Sequence, residues 1–103
     1  MGMQVNVTDS EEAITIKVEG EIDLYSSPEL RSAINQAVPK GRRAVRIDLG
    51  GVAYMDSSGV ATLVEGLRHA GDKGVEFVLI APSSSVMKVL QLSRLDTVFN
   101  IER

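Results

Sequence analysis

Residues 54 to 59 read Tyr-Met-Asp-Ser-Ser-Gly, a carboxylate followed by two hydroxyls and a glycine. Groups of these types at this spacing suit three kinds of chemistry. A serine can attack a substrate, an Asp or Ser can cap the first turn of a helix, or a serine can itself accept a phosphoryl group. Nucleophilic attack lacks its parts. The Gly-x-Ser-x-Gly elbow is half present, because Gly59 follows Ser57 by two residues but Met55 stands where the first glycine belongs. The single histidine, His69, lies three turns along the same helical stretch, about 18 Å away at 1.5 Å per residue, too far to serve as base. Capping is the commonest use of an acid or serine ahead of a helix, and either Asp56 or Ser57 can provide it. The start of that helix also carries unpaired backbone N–H groups and partial positive charge, which favours an anion nearby.

What is left for Ser57 is the role of substrate. Phosphorylation adds about −1.5 to −2 charge and three acceptor oxygens beside Asp56. A partner covering Ser57 with an acidic or apolar surface would meet repulsion and desolvation of about 3 kcal/mol, roughly a hundredfold in affinity. The chain is therefore expected to be a switch and not an enzyme.

The elements that hold this stretch follow from periodicity. Val45, Ile47 and Leu49 alternate with Arg46 and Asp48, so a half-buried strand from Ala44 to Leu49 leads in, with Gly50 and Gly51 allowing a break before the loop. Val60, Leu63, Val64 and Leu67 recur at helical spacing, so a helix opens at Ser57 or Ser58 and ends near Gly71. Earlier, Met3, Val5 and Val7, then Ile14, Ile16 and Val18, alternate on either side of a polar turn and predict a hairpin. Gly20 breaks that pattern, and Glu21-Ile22-Asp23 enters a loop. A second helix starts there, with Ser26 and Glu29 at capping-box spacing or Ser27 ahead of Pro28. It buries Leu30, Ala33, Ile34, Ala37 and Val38 and stops at Pro39-Lys40-Gly41.

Val75 to Ala81 is apolar apart from Glu76, which predicts a strand inside the sheet. Ser83 to Ser85 offer caps for a third helix through Val86, Val89 and Leu90, and Val98, Phe99 and Ile101 make a last short strand. The order β-β-α-β-α-β-α-β is that of an α/β layer fold, its sheet largely parallel after the hairpin and covered on one side. Sites in such sheets gather at the carboxyl ends of strands, so the loops at 23–27 and 54–58 are expected to share one rim.

Composition narrows the partners. The 103 residues suffice for one modest core, so a single domain over 1–103 is expected. A net charge of −3 with no Lys/Arg block disfavours nucleic acid. No cysteine, one histidine and no Asp-rich loop leave no metal ligand set. Neither glycine-rich phosphate-binding motif occurs, so no cofactor is expected. The absence of a basic leader, of a membrane-length apolar run and of cysteine points to the cytoplasm, without direct membrane insertion. Glu29, Glu65, Arg42, Arg43 and Arg46 are expected to be solvated charges.

Gly20-Glu21-Ile22-Asp23 and Met55-Asp56-Ser57-Ser58-Gly59-Val60, in this element order, resemble two motifs of the STAS domain family. The likeness is to the bacterial anti-sigma-factor antagonists and spans nearly the whole chain. It implies a single-domain fold with a mixed five-stranded sheet and helices mainly on one face. It also implies that Ser57 accepts phosphate from a partner that is both anti-sigma factor and serine protein kinase. The unmodified domain binds that partner and frees the sigma factor, and a serine phosphatase reverses the modification. Asp56 and Ser58 shape the loop of Ser57, Gly59 allows close approach, and Asp23 lies on the partner-facing rim. The family's fold also serves as a non-catalytic subunit of lipid-transport ABC systems and as the soluble tail of anion transporters, relatives that often lack the serine; Ser57 favours the antagonist, and the ABC subunit is the alternative. Antagonists usually finish with a further helix, whereas this chain stops at Arg103 just after its last strand. That edge is expected to be thin or covered by a second copy, in a monomer or weak dimer.

Overall fold

The computed structural model describes residues 2–103. The hairpin pairs β1 (Met3–Asp9) with β2 (Ala13–Ile22). There follow α1 (Ser27–Ala37), a 3-10 turn (Val38–Lys40) and β3 (Ala44–Met55). The chain continues through α2 (Ser57–Asp72), β4 (Glu76–Ile80), α3 (Ser84–Leu92) and β5 (Asn100–Glu102). The sheet order is β1-β2-β3-β4-β5, with β1 antiparallel to β2 and every later pair parallel.

That order determines where the helices go. Each parallel strand is added on the same side of its predecessor, and right-handed crossovers then put all three helices on one face. The core lies between them and the sheet. Ile14, Ile16, Val18, Val45, Ile47, Leu49, Phe77 and Leu79 meet Leu30 and Ile34 of α1, Leu63 of α2 and Val86 and Leu90 of α3. Lys17, Arg46 and Asp48 fall on the opposite, open face. There Arg46 pairs with Glu102 at 2.9 Å, reaching from β3 to β5 across the intervening β4, where Val78 is buried outside the core cluster.

Four local expectations are corrected. First, β3 does not stop at Leu49 but runs through Gly50 and Gly51 to Met55, neither glycine adopting a positive φ. The register against β2 slips twice, between Lys17 and Glu19 and between Gly20 and Glu21, each slip inserting one extra residue into β3. These bulges restart the alternation so that Val52 and Met55 return to the core after three-residue steps. Gly20, at φ +103°, sits within β2 at one of them and does not end it. Second, the Ser26–Glu29 capping box does not form, because the Ser26 hydroxyl is engaged by the loop ahead of the helix. Third, the most buried face of α2 is Gly59, Thr62, Leu63, Gly66 and Ala70, whereas Val60, Val64 and Leu67 are only partly buried. Small residues let α2 approach closely: a Cβ on Gly66 would lie 2.8 Å from the Phe77 ring. Fourth, the last strand begins at Asn100, so Val98 and Phe99 precede it. β5 ends the sheet, and Leu92 and Val98 are exposed in the segments before it.

Candidate functional site

Asp56 is the N-cap of α2, in extended conformation at φ −105° and ψ −170°. One carboxylate oxygen accepts from the backbone N–H of Ser58 at 2.9 Å and of Gly59 at 3.4 Å, and from the Ser58 hydroxyl. The Ser58 hydroxyl is the leading cause holding the Asp56 carboxyl below its usual range, helped by the backbone N–H groups of Ser58, Gly59 and Leu24 and opposed by partial burial. Asp56 is thus an anion at neutral pH that occupies the helix start.

The loop of α1 is built in the same way. The Asp23 carboxylate accepts from Tyr25 N–H at 2.9 Å and Ser26 N–H at 3.0 Å. The Ser26 hydroxyl lies 2.8 Å from the Glu21 carbonyl and accepts from Asp23 N–H at 2.9 Å. Such side-chain turns fix a loop without regular structure. The two loops are joined: Asp56 N–H donates to the Ile22 carbonyl at 3.1 Å, and Ile22 is the register partner of Met55. Asp23, Asp56, Ser57 and Ser58 therefore share one rim at the carboxyl ends of β2 and β3.

Their exposures differ. Ser57 is exposed and its hydroxyl joins none of the side-chain hydrogen bonds among the described residues, whereas Ser58 is half-buried and committed to Asp56. Gly59 lies inside. A Cβ there would stand 2.5 Å from Met55 Cγ and 2.8 Å from Ile22 Cγ2, so the close approach it allows is that of α2 onto the core beneath the loop. One turn on, Thr62 donates to the Ser58 carbonyl at 2.9 Å, and Arg31 of α1 bridges Thr62 at 3.4 Å and Glu65 at 3.1 Å, tying α1 to α2 behind the site. His69 is on α2 far from the loop, and among the described residues no cluster of ligating side chains could hold a metal. No helix among them is long and apolar enough to cross a membrane.

Within the two loops expected to share this rim, periodicity gives no sign that three large side chains are exposed. Leu24 is 67% exposed, Tyr25 89% and Tyr54 51%, although all three are large and apolar. Leu24 and Tyr25 interrupt the polar loop between Asp23 and Ser26, and Tyr54 is the register partner of Glu21. Apolar side chains that no core claims, Leu24 and Tyr25 in a turn and Tyr54 near the end of β3, were the available signal.

A family model described as Mlab, STAS domain matches residues 5–101. The anti-sigma-B factor antagonist of Listeria monocytogenes is 32% identical over 89 residues, covering 86% of this chain and 78% of its own. That of Staphylococcus aureus (strain NCTC 8325 / PS 47) is 25% identical over 101 residues, covering 98% and 94%. The crystal structure of an anti-sigma factor antagonist from Mycobacterium paratuberculosis superimposes with a TM-score of 0.88 at 27% identity, covering 98% of this chain and 86% of that one.

Proposed function

The chain belongs to the STAS domain family, and from that membership we propose that it is an anti-sigma-factor antagonist switched by phosphorylation at Ser57. Unmodified, it binds an anti-sigma factor that is also a serine protein kinase, and so releases the sigma factor. Phosphorylated, it lets go, and a serine phosphatase restores it. The names of the relatives support the antagonist role.

The observation that carries the switch is the contrast between neighbouring serines. Ser58 is locked onto Asp56, while the Ser57 hydroxyl is exposed and makes no bond within the loop. A kinase can reach it without unfolding anything. Nor can the helix start readily neutralise the product, because the Asp56 carboxylate already takes the N–H groups of Ser58 and Gly59. A phosphate on Ser57 would face outwards beside a fixed negative charge. At about 3 kcal/mol of repulsion and desolvation, partner affinity falls about a hundredfold.

Incubation with the cognate kinase and ATP should add one phosphate, seen as a single mass increment, and Ser57→Ala should prevent it. Undiminished labelling of the Ala variant contradicts the site. Co-purification of ATPase and permease subunits in place of a kinase would replace the switch with a transporter-subunit role.

A further inference from the structure

Six large apolar side chains stand exposed among the described residues, and three of them, Leu24, Tyr25 and Tyr54, line the rim that carries Ser57. From this we propose that these three are the anchors by which the domain grips its anti-sigma partner, and that the partner offers an apolar pocket bordered by cationic side chains. The inference rests on the antagonist role of Ser57 and names the chemistry of the protein that engages it.

Two features of the rim select that occupant. The anchors are continuous with the switch, because Asp56 N–H bonds to the Ile22 carbonyl, two residues before Leu24, and Tyr54 lies two residues before Asp56. Tyrosine is a common anchor of interfaces, where a large flat area is buried at low entropic cost while the hydroxyl keeps a polar contact. Carboxylates dominate the charge around them, and Arg31, next in sequence on α1, is paired with Glu65. Between residues 19 and 30, and between 48 and 67, every charged residue is a carboxylate, Glu21, Asp23, Glu29 and Asp56 among them, with no Lys, Arg or His. A cationic border complements that rim. A second copy of this chain does not, since two such rims would repel. With an apolar pocket over Ser57, a phosphate loses its hydration on docking, and this desolvation outweighs its attraction to the cationic border, so the complex weakens.

The test is titration calorimetry of the full chain against the kinase that labels Ser57. The double variant Leu24→Ala/Tyr25→Ala, and Tyr54→Ala separately, should each bind at least about tenfold more weakly than the parent. Their thermal midpoints should be unchanged, because these side chains are not part of the core. Leu92→Ala, another exposed leucine, should bind as the parent does. A double variant that binds within about twofold of a parent still phosphorylated at Ser57 overturns the anchors and leaves the switch standing. A parent that is not phosphorylated at Ser57 overturns both. A homodimer of the parent that the double variant disperses assigns the patch to a second copy and also overturns the proposal.

Discussion

Two adjacent hydroxyls differ here because one aspartate can satisfy only part of its neighbourhood. Asp56 takes the Ser58 hydroxyl and two backbone N–H groups, which fixes the first turn of α2 and leaves Ser57 outside the network. Asp56→Ala should lower stability by about 1 kcal/mol, the usual worth of an N-cap, measured by urea unfolding, while Asp56→Asn should retain most of it. The acid dependence has a definite sign. The folded Asp56 carboxyl titrates below its unfolded counterpart, so its contribution is present in full above the ordinary carboxylate pKa. It is lost as pH falls through the depressed folded value. The stability difference between parent and Asp56→Ala should therefore be constant at neutral pH and shrink in acid, and a difference that grew on acidification would contradict the cap. Motif spacing made Asp56 and Ser57 legible, but not which serine the acid would bind, since that depends on the rotation of the first turn.

At the scale of elements, the site is held by how closely α2 approaches the strands beneath it. Gly59→Ala would push a methyl against Met55 and Ile22, both buried, and should destabilise by about 1–3 kcal/mol in thermal or chemical unfolding. An Ala variant as stable as the parent would mean that α2 can lift from the sheet at no cost. Ser83 also joins two elements: its hydroxyl donates to the Val52 carbonyl at 2.6 Å and accepts from Val86 N–H at 3.2 Å. Ser83→Ala should cost about 1–2 kcal/mol, because a cap is lost and a carbonyl at the β3 bulge is left unpaired. Element type and order were legible because alternation and the 3.6-residue period survive in β2, α1 and α3. The course of β3 was not, since Gly50-Gly51 signals a break by composition, and only pairing with β2 shows that the strand bulges and continues. The buried face of α2 was missed for a related reason: its glycines, threonine and alanine pack tightly without being hydrophobic enough to stand out.

Across the whole molecule, charge is unevenly spread in a way that bears on association. The rim of Ser57 is acidic, whereas Lys40, Arg42 and Arg43 lie at the start of β3, at its other end. There Arg42 and Asp9 pair at 2.9 Å and Lys40 approaches Asp9 at 3.8 Å. A cationic partner is steered towards the acidic end, so the association rate should fall as salt rises from about 0.05 to 0.5 M. The phosphorylation penalty, dominated by desolvation, should change little over the same range. The likeness of two loops to family motifs made the switch role legible, while the apolar anchors were not, because no period runs through the turn of Leu24 and Tyr25 and the bulge before Tyr54 breaks the alternation of β3. The central claim is tested most directly by measuring the affinity of the kinase for the chain before and after stoichiometric phosphorylation at Ser57. A loss of about a hundredfold, reversed by phosphatase, is the expected result; equal affinity of the two forms would contradict the account.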